Sequence, residues 1–187
     1  MAQPDYSSLP PALPVPTDDG ACAHLPGTRL PAVPLPATTG APVDLAGWPG
    51  RVVLYVYPMT GRPGVPLPPG WDTIPGARGC TPEACAFRDH YAELQALGVE
   101  VFGLSTQPTP DQQEARERLS LPFHLLSDAE LRLAGALRLP TFHVEGRTFL
   151  KRFTLVVRNG WIEHVFYPVF PPDHHPAEVV RWLREHP

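Results

Sequence analysis

Apolar residues fall into short runs separated by proline and glycine, and the spacing within each run predicts an element. Val52-Val53-Leu54-Tyr55-Val56-Tyr57 is a continuous β-branched and aromatic run, the pattern of a strand buried on both faces, and Pro58 ends it. Over residues 82–97, Ala84, Phe87, Tyr91 and Leu94 recur at helical spacing, with Gly98 as the stop. Residues 99–105 then read as a second buried strand. Strand, crossover helix and parallel strand make a βαβ unit, so an α/β protein is expected. Thr109-Pro110-Asp111-Gln112 reads as a capped helix start, residues 122–126 as a short strand, and Ser127-Asp128-Ala129-Glu130 as a second capping box. Residues 152–157 and 161–167 flank Asn159-Gly160, a dipeptide that favours the tight turn matching strand twist, so a hairpin is expected there. A last helix carries Val179, Val180 and Leu183.

Two stretches lack periodicity. Between Leu9 and Pro36 prolines recur every few residues, which excludes helix and favours an extended chain wrapped on the surface or forming short edge strands. Residues 59–79 mix Pro and Gly around Trp71, and loops of that length are usually functional or mobile.

At 187 residues the chain suits one domain with a hydrophobic core. Its net charge of −4 comes from interspersed acids and bases, with no basic stripe to grip a phosphate backbone, so nucleic acid is not an expected partner. The first residues lack the basic and apolar regions of a signal peptide, and no apolar run approaches bilayer length. A soluble, cytoplasmic protein without membrane contact is expected.

Three cysteines are too few for a secreted disulfide framework and point to chemistry or metal binding. Cys22, in the proline-rich lead with no helix start beside it, reads as a bystander. Cys80 and Cys85 lie five residues apart at an apparent helix start. Unpaired backbone N–H groups and the helix dipole favour a thiolate at such a position, so a lowered pKa and a nucleophilic Cys80 are expected. In an ideal helix the two Cα atoms stand about 8.6 Å apart and the side chains about 140° apart, with Cys80 on the buried side. A disulfide tolerates at most about 7 Å, so bridging them requires the first turns to unwind. That is a redox switch rather than a staple. Zinc binding is poorly served, because the spacing is not Cys-x-x-Cys and His90 is five residues further on. His174-His175 reads as loop or helix cap.

Gly79-Cys80-Thr81, Ala84-Cys85 and Phe87-Arg88-Asp89 resemble the active-site helix of peroxiredoxins of the bacterioferritin-comigratory-protein (Q-type) subfamily. The resemblance continues in order through Gly103-Leu104-Ser105-Thr106, Leu125-Leu126-Ser127-Asp128, Arg152-Phe153-Thr154-Leu155, the Gly160–Phe166 block and the end of the chain. It implies a thioredoxin-like fold, with a central mixed β-sheet flanked by helices, and a thiol peroxidase acting on hydrogen peroxide and organic hydroperoxides. Cys80 would be peroxidatic, Cys85 resolving through an intramolecular disulfide, and Arg152 the active-site arginine. A thioredoxin-type donor would reduce the disulfide, the protein would be a monomer, and no metal, haem, flavin or nicotinamide would be needed.

One departure stands out. The family pattern has proline seven residues before the peroxidatic cysteine and threonine or serine three before it, where this chain has Thr73 and Ala77. Pro58 is the alternative match to that proline, with an insertion of about fifteen residues after it. Thr73 is then expected to supply the missing hydroxyl, unless backbone N–H groups near Gly79 and Cys80 suffice, and Arg78 adds a cation. The resulting organisation is one domain over 1–187, with an N-terminal extension over 1–30 and an inserted active-site loop over 59–79. Two other readings stay open: a thioredoxin-fold copper-binding chaperone using the cysteines and a remote histidine, and a degenerate, non-catalytic thioredoxin-fold module.

Overall fold

The computed structural model describes residues 6–187. In chain order the elements are β1 (Arg51–Val56), α1 (Cys80–Asp89), α2 (Tyr91–Ala96), β2 (Val99–Ser105), α3 (Thr109–Arg118), β3 (His124–Ser127), α4 (Arg132–Leu137), β4 (Thr141–Val144), β5 (Arg147–Leu150), β6 (Phe153–Arg158), β7 (Trp161–Phe166) and α5 (His175–Glu185). A five-stranded sheet has the order β3-β2-β1-β6-β7, and β4 and β5 form a separate hairpin. β1, β2 and β3 are parallel, and β6 runs antiparallel to both β1 and β7. This is the expected α/β architecture with a mixed central sheet.

Central β1 is buried throughout because its alternate side chains enter two cores. Val52, Leu54 and Val56 pack on one face, while Val53, Tyr55 and the following Tyr57 pack on the other. Helices α1, α2 and α5 cover the second face through Phe87, Leu94, Val179, Val180 and Leu183. Gly103 of β2 is required there: a Cβ would lie 2.7 Å from the Tyr55 ring and 2.6 Å from Leu125. Tyr55 stacks in turn on Phe87, with centroids 4.5 Å apart.

The proline-rich lead covers the first face. Cys22, Leu25, Leu30 and Leu35 are buried in that core beside Leu133 and Leu137 of α4. The segment bridges to Trp161 of β7 through Arg29 and to Leu126 of β3 through Ala37, so it crosses the sheet from one edge strand to the other. The surface wrapping expected from proline is therefore half of the answer, since the leucines between the prolines complete a core.

Several local expectations are corrected. The helix predicted over 82–97 begins at Cys80 and is divided at His90 into α1 and α2. The hydrogen bonds His90 N to Ala86 O and Leu94 N to His90 O persist, so the apolar stripe continues across the break. Thr109 does not cap α3; Pro108 precedes the helix, and its carbonyl accepts from Asp111 and Gln112. Ser127-Asp128-Ala129-Glu130 is no capping box either. Ser127 ends β3 and donates to Gln107 O, while the Asp128 carboxylate accepts from the Leu133 and Ala134 amides at the start of α4. The strand expected over 122–126 is shifted to 124–127 by pairing with Phe102–Ser105. The Asn159-Gly160 hairpin forms as expected, both residues having positive φ. Among the described residues no helix is long and apolar enough to cross a membrane.

Candidate active site

Cys80 is the first residue of α1 and lies beyond the carboxyl end of β1, where open α/β sheets place their sites. The turn into the helix needs Gly79. Its φ is 106°, and a Cβ there would meet Pro172 Cγ at 2.5 Å and Leu9 Cδ2 at 2.7 Å. Cys80 itself is 4% exposed.

The strand register brings Arg152 to the thiol. Phe153 pairs with Val56, so the residue before β6 falls beside the chain leaving β1. Arg152 Nη2 donates to Cys80 Sγ at 3.1 Å. Further donations to the carbonyls of Gly76 (3.1 Å), Ala77 (3.3 Å) and Arg78 (3.2 Å) tie the guanidinium to the loop before the helix. Its Nη1 pairs with Glu83, which is fully buried one turn into α1. Met59 lines the same small cavity as Cys80, and its backbone favours the thiolate.

Two acids therefore share one buried cation. Burial pushes the Cys80 thiol up; the Arg152 guanidinium pulls it down and the Glu83 carboxylate pushes it up again. The lowered pKa expected from a helix start is thus corrected for this closed arrangement, because desolvation and Glu83 outweigh the favourable partners. Glu83 is likewise raised by burial, against the pull of Arg152 and His175. Its Oε1 has no hydrogen-bond partner among the described residues. Proton loss from Cys80 and from Glu83 is coupled, since a single guanidinium balances one negative charge.

Cys85 lies on the other side of α1, half-buried, with its thiol raised by burial and lowered by Arg88. All three cysteines are free thiols. Cys22 is buried and far from ionising, at a pKa of about 12. Thr73 is not brought to Cys80: it is exposed on a short 3-10 turn and its hydroxyl donates to Gly70 O at 2.7 Å. Ala77 is buried against Trp71 and Phe149, an apolar setting for the position where the family carries a hydroxyl. Arg78 pairs with Asp72. His175 is buried, its Nε2 within 2.8 Å of Thr154 Oγ1, and His174 precedes α5 without a side-chain cap. Among the described residues no group of three or more His, Cys, Asp or Glu could hold a metal ion.

Two neighbours of the site were not anticipated: Glu83 and Met59. Glu83 carried a legible signal, being a charged residue on the turn shared by Cys80, Ala84 and Phe87. Thr60 follows Met59 directly, and both its backbone groups are clamped by the Gln107 carboxamide, at 2.8 Å (N to Oε1) and 3.3 Å (Nε2 to O). Met59 and Gly61, rather than Thr73, line the cavity at the thiol.

Residues 25–181 match the Redoxin family model. Peroxiredoxin Bcp of Escherichia coli (strain K12) is 32% identical over 167 residues, covering 86% of this chain and 96% of that protein. A chloroplastic peroxiredoxin Q of Oryza sativa subsp. japonica is 29% identical over 159 residues; the match covers 84% of this chain and only 66% of the length of the rice protein. Among solved structures, peroxidoxin BcpB of Mycobacterium tuberculosis superposes with a TM-score of 0.70 at 28% identity, covering 88% of this chain and 99% of that one. Xanthomonas campestris peroxiredoxin Q, at 21% identity and a TM-score of 0.66, covering 87% of this chain and 96% of its own, shares the fold.

Proposed function

The chain belongs to the redoxin family, in its peroxiredoxin Q/Bcp branch, and from that premise we propose that it is a thiol peroxidase with Cys80 as the attacking group. The observation that carries this reading is the buried Arg152 guanidinium 3.1 Å from Cys80 Sγ. An arginine so placed stays charged, holds the thiolate and polarises the peroxide as negative charge moves onto the leaving oxygen. The Cys80 thiolate attacks one peroxide oxygen; the S–O bond forms, the O–O bond breaks, and the leaving oxygen departs with a proton as water or an alcohol. The resulting sulfenic acid is captured by the Cys85 thiol, expelling water and forming the Cys80–Cys85 disulfide. A dithiol donor of the thioredoxin type restores both thiols by exchange.

Hydrogen peroxide and organic hydroperoxides are the substrate class. Residues 59–79 act as an active-site insertion. Three free thiols suit a reducing, cytoplasmic setting, and a monomer completes the proposal.

The test is stoichiometric oxidation followed by peptide mapping. Cys80→Ser should abolish peroxide consumption, whereas Cys85→Ser should consume about one equivalent and stop as a sulfenic acid. Turnover by Cys80→Ser at the native rate would refute the assignment.

A further inference from the structure

The cavity onto which Cys80 opens is lined by Met59, Gly61, Leu67, Trp71 and Arg78, and by Tyr6 from the N-terminal segment. It has about 10 Å³ of room, close to the minimum that holds a single water molecule. Tyr6 is 7% exposed, and three separate contacts fix it. Its hydroxyl donates to Val65 O at 2.6 Å. The Arg78 guanidinium lies 5.0 Å from its ring centroid. The ring also sits directly on Gly61, where a Cβ would come within 2.6 Å of it. Leu9, three residues on, packs against Gly79 beside the thiol.

A larger cavity of about 360 Å³ lies alongside and shares Met59, Gly61 and Leu67 with the first. Gly61 and Val65, two of the three residues of the 59–79 loop that hold Tyr6, also line it. Space for an alkyl or aryl group therefore exists next to the thiol cavity but not within it.

We propose that Tyr6 is a specificity-determining residue: its ring narrows the entrance to Cys80 and slows hydroperoxides with bulky organic groups relative to hydrogen peroxide. Nothing in the chemistry at sulfur requires this ring, so its effect is steric. A methyl-sized obstruction in a closed site changes discrimination by about ten-fold or more, and an aromatic ring is larger. Removing it opens the thiol cavity toward its larger neighbour. The proposal rests on the peroxidase reading for its substrates, while the geometric part can be read from thiol accessibility alone.

Rates of Cys80 oxidation by hydrogen peroxide and by cumene hydroperoxide should be compared in the full-length wild type, Tyr6→Ala, Tyr6→Leu and Tyr6→Phe. The cumene-to-hydrogen-peroxide ratio should rise about ten-fold in the alanine and leucine variants and stay at the wild-type value in Tyr6→Phe, which keeps the ring. In parallel, reduced protein is labelled with iodoacetamide or a bulky aryl maleimide, and modification at Cys80 is read by fragment mass spectrometry. The bulky reagent should gain selectively in the alanine and leucine variants. Unchanged ratios and unchanged labelling in a folded Tyr6→Leu protein would overturn the proposal. If the wild type consumed no peroxide, the peroxidase reading would fall, and the labelling would still decide whether Tyr6 gates the thiol.

Discussion

Replacing Glu83 by glutamine removes a negative charge from the buried site while keeping the shape and one acceptor for Arg152. The guanidinium separates the Glu83 carboxylate from the Cys80 sulfur, each bonded to a different terminal nitrogen. Across such a bridge, at roughly 6 Å and an effective dielectric of about 20, two like charges repel by about 3 kcal/mol. Sharing of the guanidinium reduces what Cys80 feels, so its pKa is expected to fall by less than the full repulsion would give. The opposing effect is a looser Arg152, but the carbonyls of Gly76, Ala77 and Arg78 still hold it, so the charge effect wins. Thiolate absorbance near 240 nm, titrated in a Cys22→Ala, Cys85→Ser background, measures the shift. Peroxide attack near neutral pH should accelerate with the larger thiolate fraction, until thiolate formation is complete. A Cys80 pKa that is unchanged or raised in Glu83→Gln would refute the reasoning and make Glu83 chiefly an anchor for Arg152.

Arg152→Ala should raise the Cys80 pKa, slow peroxide attack and destabilise the fold by about 3 kcal/mol, because Glu83 loses its buried partner; Arg152→Lys should restore only part of each, as thiolate titration and denaturant melts would report. Oxidation to the Cys80–Cys85 disulfide should accelerate hydrogen exchange over residues 78–90, since the intact helix holds the thiols too far apart; identical exchange in both redox states would refute this. Cys22, buried and with its pKa pushed to about 12, should resist iodoacetamide at pH 7 until denaturant is added, while Cys85 reacts in the folded protein; mass mapping of the labelled peptides checks both.

Elements built by nearest neighbours were legible without coordinates. The apolar run before Pro58, the strand ending at Ser105 and the Asn159-Gly160 hairpin each carry their instructions within a few residues, as period, breaker or turn dihedral. The thiol at the start of α1 was legible for the same reason. The β4–β5 hairpin was not anticipated: its strands are short, and each has exposed or half-exposed positions that break the alternation. What surrounds Cys80 was decided by the tertiary structure. The register of β6 on β1 delivers Arg152, the path after Pro58 delivers Met59, and the N-terminal segment delivers Tyr6. Tertiary structure also reversed the expected sign of the Cys80 pKa shift. A helix terminus and its dipole are local properties, but the desolvation of a thiol and its distance from Glu83 and Arg152 depend on which distant segments pack over it. Pairwise forces between residues some seventy positions apart in the chain leave no period in the sequence, and only the closed core brings them within reach.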